Sequence, residues 1–233
     1  MASIAANMQA VRERIARAVR AAQRDSAEVT LLAVSKTVPA ERIKEAYAAG
    51  QRAFGENHAQ EAVEKITVLA ELPPLLPLEW HFIGPIQSNK TRLIAQHFAW
   101  VHSVEREKIA ERLNAARPEG MPPLNVCIQV NVSGEATKSG VAPGEEAKLA
   151  DAIARLPRLK LRGLMAIPEP GAELTLQRGR FALLRGLKDG LVARGHPLDT
   201  LSMGMTDDFE AAILEGATIV RIGTAIFGER KKD

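Results

Sequence analysis

Residues 29–50 read VTLLAVSKTVPAERIKEAYAAG, and this stretch indicates how the rest of the chain is arranged. Its first six residues form a short apolar run rich in Val and Leu, which is typical of a strand buried on both faces. Residues 40–49 follow as a helix, with Pro39 where a first turn tolerates proline and Gly50 directly after the last turn. The stretch therefore predicts one strand–helix unit.

The same unit repeats along the chain. Apolar runs that predict strands lie at 29–34, 52–54, 80–83, 100–102, 124–130, 159–165, 200–201 and 218–222. Predicted helices lie between them, at 40–49, 59–70, 90–97, 106–116, 145–155, 176–194 and 207–215. Alternating strands and helices imply parallel pairing with right-handed crossovers. Eight units favour an α/β fold of the closed (β/α)8 TIM-barrel type over an open doubly wound sheet.

The two ends of the chain add an N-terminal helix and a basic tail. Within 1–27, Met8, Val11 and Ile15 recur at helical spacing, so this segment is expected to be a helix outside the eight units. Residues 229–233 carry three consecutive positive charges and are expected to form a solvated tail. The 233 residues suit one barrel domain spanning 1–233.

Composition excludes several classes of protein. Hydrophobic residues make up 46% of the chain and charged residues 25%, which is the profile of a globular protein. The net charge of +3 comes without a basic stripe, so no nucleic-acid partner is expected. Neither a signal peptide nor a membrane-spanning run is apparent, which predicts a cytoplasmic protein without membrane contact. The single cysteine, Cys127, lies in an apolar run and is expected to be buried.

Lys36 is the first candidate for chemistry. In a (β/α)8 barrel the loops after the strands meet at one mouth, and Lys36 lies two residues after the end of the first predicted strand. An amine held against an apolar floor has a lowered pKa and becomes a better nucleophile towards a carbonyl. Taken by itself, Lys36 is better interpreted as a lysine that extends its amine into solvent.

A predicted anion site lies across the same mouth. The segments 202–208 and 223–224 follow the seventh and eighth strands, the places where such barrels often bind phosphate. Small residues there allow backbone N–H groups to approach an anion, and Ser202 and Thr224 carry hydroxyl donors. An amine at the first strand together with an anion site at the last two suits a phosphorylated aldehyde.

The sequence also places an arginine, three histidines and a second lysine on the predicted strands or in the loops that follow them. Arg221 either faces a ring nitrogen of the ligand or forms a salt bridge at the rim. His81 is expected to be a hydrogen-bonded core histidine, and His58 and His102 lack the companions of a metal site, so no metal is predicted. Lys138, in the long loop after the fifth strand, is interpreted as a surface lysine in preference to a second amine for the ligand.

Five segments together resemble a known family. They are AVSKT at 33–37, FGEN at 54–57, WHFIG at 80–84, LSMGMTDD at 201–208 and VRIGT at 220–224. In order and spacing they are similar to the pyridoxal 5'-phosphate (PLP) homeostasis protein family, also called the YggS/PROSC family, over essentially the whole chain. The resemblance implies a fold like the N-terminal barrel of alanine racemase, without that enzyme's second domain.

The resemblance also implies a set of PLP-binding residues. Lys36 would form the Schiff base, Asn57 would line the ring pocket, and Arg221 would face the pyridine nitrogen. The phosphate would be held by the loops after the last two strands, and two methionines would pack nearby. The full set is Lys36, Asn57, Met165, Ser202, Met203, Gly204, Arg221, Gly223 and Thr224.

The implied function is PLP binding, with delivery to PLP-dependent apoenzymes and a part in vitamin B6 homeostasis, rather than catalysis. A racemase needs an acid–base group on each face of the cofactor, and the only tyrosine, Tyr47, falls within the first predicted helix after the barrel begins. Two alternatives stay open. One is a PLP-dependent amino-acid racemase, and the other is a barrel enzyme whose Lys36 forms a Schiff base with a phosphosugar. A monomer is expected.

Overall fold

Eight parallel strands form a closed barrel in chain order in the computed structural model, which describes residues 3–70, 77–135, 139–169 and 173–228. The strands are β1 (Thr30–Val34), β2 (Ala53–Glu56), β3 (Glu79–Phe82), β4 (Trp100–Val104), β5 (Leu124–Gln129), β6 (Leu159–Met165), β7 (Thr200–Ser202) and β8 (Ile219–Ile222). The barrel closes where β1 pairs with β8, with Leu32 opposite Arg221. The predicted (β/α)8 fold is confirmed. Lys138 and the basic tail lie outside the described residues.

Helices follow the strands as predicted. They are α1 (Ile4–Ala21), α2 (Ala40–Ala48), α3 (Ala59–Leu69), α4 (Thr91–His97), α5 (Glu107–Ala116), α6 (Glu146–Ala154), α7 (Leu174–Ala193), α8 (Phe209–Leu214) and α9 (Thr224–Phe227). Within the described ranges, no helix combines the length and the apolar composition that crossing a membrane requires.

Local hydrogen bonds explain where the predicted bounds differ from those observed. The N-terminal helix ends at Ala21 rather than extending through 27, and Asp25 then caps a separate 3-10 turn, Ser26–Glu28. Helix α8 begins at Phe209 rather than at 207, because the Asp208 carboxylate accepts the Met205 N–H at 2.5 Å and holds the residues between them in a turn.

Helix α1 covers the side of the barrel where the chain closes. Its buried side chains fall on one face of the helix and pack towards α8 and α9: Ile4, Met8, Val11, Ile15, Ala18 and Val19. The Asn7 amide donates to the Ile226 carbonyl of α9 at 2.9 Å, and Arg14 pairs with Glu210 of α8. The predicted extra N-terminal helix thus supports the last strand–helix unit.

Two apolar layers form the core. The larger lies between the strands and the surrounding helices. The smaller fills the barrel with side chains from seven residues of the strands and one loop, namely Leu32, Ala53, Ile83, Trp100, Cys127, Met165 and Ile219. Because strand residues alternate between the two layers, the residue that ends each strand is directed either to the mouth or to a helix.

Candidate functional site at the barrel mouth

A cavity of about 240 Å³ opens at the carboxyl ends of the strands. Five of the nine sequence-predicted site residues line it: Lys36, Asn57, Arg221, Gly223 and Thr224. They come from the ends of β1, β2 and β8, so the barrel brings together residues that are up to 188 positions apart in the chain (36 and 224). An amine, a guanidinium and a helix start therefore share one small cavity.

The cavity also has apolar walls that the sequence did not predict, together with part of the predicted anion segment 202–208. Apolar side chains come from Val34, Val38, Ile83, Ile167 and Phe227, and the loop after β7 contributes Met205, Thr206 and Asp207. The sequence carries a signal for two of these residues, Val34 and Ile83. Val34 and Ile83 precede the strand-end residues Lys36 and Pro85 by two positions, and residues two apart share a strand face.

The other four predicted residues do not line this cavity. Met165 is buried inside the barrel, whereas Met203 is buried in the outer layer against the helices. Ser202 is fully buried, and its hydroxyl oxygen lies 2.7 Å from His102 Nδ1 and 2.8 Å from the Arg221 guanidinium. The carbonyl of Gly204 accepts the backbone N–H of Arg221 at 2.9 Å, which connects the loop after β7 to β8.

Arg221 is held inside the barrel by two neutral acceptors. Its Nη1 donates to Ser202 Oγ and its Nη2 donates to the Ala166 carbonyl, each at 2.8 Å. These partners are a hydroxyl and a carbonyl, not the carboxylate of a rim salt bridge. Burial lowers the pKa of Arg221 to about 10, so the guanidinium still carries its charge at neutral pH. It is a fixed cation at the floor of the cavity.

A chain of hydrogen bonds continues from Arg221 to the opposite end of the barrel. His102 Nε2 lies 2.9 Å from His81 Nδ1, and His81 Nε2 lies 2.8 Å from the Glu79 carboxylate. Burial lowers the pKa of His81, and burial together with the charges of His81 and Arg221 lowers that of His102 further. Both rings are therefore neutral at pH 7.

The number of protons on each group determines the direction in which these hydrogen bonds are donated. The Glu79 carboxylate only accepts, because its hydrogen bond to His81 lowers the pKa of the carboxyl group. His81 must then carry its proton on Nε2 and accept from His102 on Nδ1, since a neutral imidazole has one donor and one acceptor. By the same rule His102 accepts from the Ser202 hydroxyl, which in turn accepts from Arg221. Each group donates towards Glu79.

The described ranges contain no cluster of three His, Cys, Asp or Glu side chains that could hold a metal ion. Cys127 lies inside the barrel, where burial raises the pKa of the thiol to about 12. A protonated, inaccessible thiol is a poor nucleophile. The reactive groups of the cavity are therefore Lys36 and the polar groups around it.

The chain is similar to several known proteins. The family model for the N-terminal domain of alanine racemase matches residues 6–231. The pyridoxal phosphate homeostasis protein of Pseudomonas aeruginosa is 63% identical over 230 residues, covering 99% of this chain and 97% of that protein. The protein of the same name from Escherichia coli is 54% identical over 233 residues, covering 99% of this chain and 98% of its own.

Solved structures of other proteins share the fold of this chain. The structure of PipY from Synechococcus elongatus, described as having PLP bound, superposes with a TM-score of 0.84 at 37% identity, covering 97% of this chain and all of that one. Alanine racemase from Corynebacterium glutamicum superposes with a TM-score of 0.71 at 17% identity, and this chain covers 61% of it, a likeness of fold alone. On the evidence of the sequence relatives and the barrel, this chain belongs to the pyridoxal phosphate homeostasis protein family.

Proposed function

We propose that this chain binds PLP in the cavity at the barrel mouth, with Lys36 forming a Schiff base to the aldehyde. In this proposal the protein takes part in vitamin B6 homeostasis and delivers PLP to apoenzymes, and it acts as a cytoplasmic monomer. The observation that carries the proposal is that Lys36, Arg221 and the Gly223–Thr224 turn line one cavity. The names of the relatives and the PLP-bound neighbour support the same ligand.

The residues of the cavity fit PLP in three respects. The apolar walls of Val34, Ile83 and Phe227 suit a flat pyridine ring. Asn57 Oδ1 is buried and has no hydrogen-bond partner among the described residues, so it can accept a hydrogen bond from a bound ligand. The first N–H groups of a helix have no intrahelical acceptor, and α9 begins at Thr224, where a phosphate would be placed.

Each group has a distinct role in holding the ligand. PLP supplies an electrophilic aldehyde when bound, and the amine of Lys36 supplies the nucleophile. Gly223 allows the turn to approach β1 closely, because a Cβ there would lie 3.2 Å from the Val34 carbonyl oxygen. Arg221, which is charged and bonded to Ser202 and Ala166, would keep a facing pyridine nitrogen unprotonated and thereby weaken the ring as an electron sink.

The placement of Tyr47 argues against a racemase. A two-base racemase needs a second acid–base group on the other side of the ring from the lysine. Tyr47, the only tyrosine of the chain, lies on α2 with its ring 3.9 Å from the Arg52 guanidinium carbon, and it does not line the cavity. The non-catalytic binding function is therefore the one that this geometry supports best.

The test is to incubate the purified protein with PLP, record its visible absorbance, reduce it with borohydride and map the modified peptide by mass spectrometry. We expect a yellow protein with a phosphopyridoxyl group on Lys36, and a colourless Lys36→Ala variant. Lys44→Ala, which removes an exposed lysine of α2, is the matched control and should bind PLP as the wild type does.

Four outcomes would count against parts of the proposal. A protein that stays colourless and unmodified would contradict PLP binding. Phosphosugars would then be tested as ligands of the same lysine. Exchange of the α-proton of an amino acid by the PLP-loaded protein would favour the racemase alternative. Failure of the PLP-loaded protein to reactivate any apoenzyme would contradict PLP delivery alone. A dimer in sedimentation would contradict the monomer alone.

A further inference from the structure

The backbone on both sides of Lys36 is held by side chains of helix α3. The β-ladder of β1 ends with the Ser35 N–H, which donates to the Gly55 carbonyl at 2.9 Å. Beyond that point the Ser35 carbonyl accepts from Lys65 Nζ at 2.8 Å, and the Thr37 N–H donates to Glu61 Oε1 at 2.6 Å. Glu61 and Lys65 are one helical turn apart, so one face of α3 binds the residues before and after Lys36.

The backbone held in this way is strained. Thr37 has φ +62°, in the left-handed region that β-branched residues rarely adopt. Its hydroxyl donates to the Lys36 carbonyl at 2.6 Å, and the Val38 N–H donates to the Ser35 carbonyl at 3.0 Å to close the turn. Such a conformation persists where the surroundings over-determine it. Here those surroundings include the side chains of Glu61 and Lys65.

The holding groups belong to an ionic cluster in which Lys65 and Glu56 are buried and Glu61 is partly exposed. Lys65 is only 8% exposed, and its Nζ lies 2.5 Å from Glu61 and 3.0 Å from Glu56. Glu56 is fully buried and also accepts from the Ser35 hydroxyl at 2.6 Å. Buried ion pairs often contribute no more stability than apolar residues of similar volume. A gain in stability is therefore a weak explanation for this cluster.

Strand alternation connects the cluster to the cavity. Ser35 and Glu56 are directed towards α3, whereas their neighbours Lys36 and Asn57 line the cavity. The cluster therefore holds the outer side of the strand ends whose inner side presents the amine. It lies directly behind Lys36.

We propose that Glu61 and Lys65 are positioning residues for Lys36. By fixing the peptide groups on both sides of that residue, they direct its amine towards the aldehyde carbon of PLP. This inference rests on the proposed function and adds to it two residues that do not line the cavity. Precise orientation matters for a covalent bond, because displacement of a reacting group by about 1 Å can cost about 100-fold in rate.

The first test is Glu61→Ala, with Glu64→Ala as the matched control. The substitution removes the acceptor of the Thr37 N–H, and Lys65 keeps Glu56 as its partner, so no buried charge is left alone. We expect PLP affinity, and the rate at which borohydride traps PLP on Lys36, to fall between about 10- and 100-fold. Glu64 is an exposed residue of the same helix, and its removal should change neither quantity.

The second test is Lys65→Met, with Lys44→Met as the control at an exposed lysine. Loss of the bond to the Ser35 carbonyl should weaken PLP binding, and it should also shift the pH profile of the visible absorbance, which a purely structural role would leave unchanged. Thermal unfolding of each variant without PLP shows whether the fold is kept. If Lys65→Met does not fold, Glu61→Ala decides the question.

The possible results separate this inference from the function on which it rests. A yellow wild type, with a Glu61→Ala variant that binds and traps PLP equally well, overturns the positioning role and leaves PLP binding intact. A wild type that takes up no PLP overturns both. Weaker binding in Glu61→Ala but not in Glu64→Ala, with both variants folded, supports the positioning role.

Discussion

Gly204 shows how one residue determines the shape of the mouth. Its φ is +94°, and a Cβ at this position would lie 2.7 Å from the Ala212 Cβ and 2.9 Å from the Phe209 Cα. Its carbonyl also accepts the Arg221 N–H. A residue with a side chain would meet both backbone strain and overlap with α8, so glycine allows the loop to pass close to that helix.

We expect Gly204→Ala to lower the free energy of unfolding by about 1–3 kcal/mol, because alanine adopts this backbone conformation only with strain. Gly186→Ala is the control with the opposite sign. Gly186 lies within α7 with nothing near its Cβ position, so alanine should raise the free energy by up to about 1 kcal/mol. Urea unfolding of both variants measures the difference, and shifts of the same sign would contradict this account.

At the scale of the element, α1 packs against the last strand–helix unit, which carries the predicted anion site. Its apolar face is buried against α8 and α9, and Asn7 bonds to the carbonyl of Ile226. Helix α9 has only four residues, too few to be stable in isolation. Packing against α1 therefore contributes to the stability of the turn at Gly223 and Thr224.

Met8→Ala should lower the free energy of unfolding by about 2–5 kcal/mol, the cost of removing a large side chain from a packed core. Met8 is fully buried, whereas its neighbour Gln9 is exposed and its side-chain amide donates to Glu13 on the same helix. Gln9→Ala should change stability by less than about 0.5 kcal/mol. Chemical denaturation of the pair tests the packing of α1, and equal effects would show that this face is not part of the core.

At the scale of the whole molecule, a polar chain crosses the apolar interior of the barrel. It runs from Arg221 at the cavity through Ser202, His102 and His81 to Glu79, whose side chain is half exposed at the opposite end. A fully bonded buried network helps to specify a unique arrangement of the core. In this chain it also fixes the tautomers of both histidines.

This network predicts how stability depends on pH. The two histidines have pKa values lowered by burial, so the unfolded chain takes up protons that the folded chain does not when pH falls below about 6.5. Stability should therefore fall with pH in that range, by up to about 1.4 kcal/mol per pH unit for each histidine.

Urea unfolding between pH 7 and pH 5.5 measures this slope. His102→Asn removes one of the two buried histidines, so the dependence of the unfolding free energy on pH should lose the contribution of one histidine and become shallower. This comparison of slopes does not depend on how stable the variant is at pH 7. His58→Asn, at an exposed histidine, is the control and should keep the slope of the wild type. An unchanged slope in His102→Asn would show that burial of this ring does not set the pH dependence.

The sequence by itself determined the eight strand–helix units, because apolar runs and helical spacing are local signals that burial imposes directly. It also identified Lys36, Arg221, Gly223 and Thr224, since position at a strand end places a residue at the mouth of such a barrel, and the family resemblance added Asn57. Its strand and helix bounds were less accurate, because the side-chain hydrogen bonds of residues such as Asp25 and Asp208 form local turns next to the helices.

Only the tertiary structure decided what lies behind those residues. The sequence gives no sign that Ser202 bonds to His102 and Arg221, because these three residues come from different strands and meet only when the barrel closes. Likewise, the spacing of Glu61 and Lys65 is that of an ordinary surface pair on a helix. Their contact with the backbone around Lys36 depends on how α3 packs against β1, a long-range contact that no local pattern encodes.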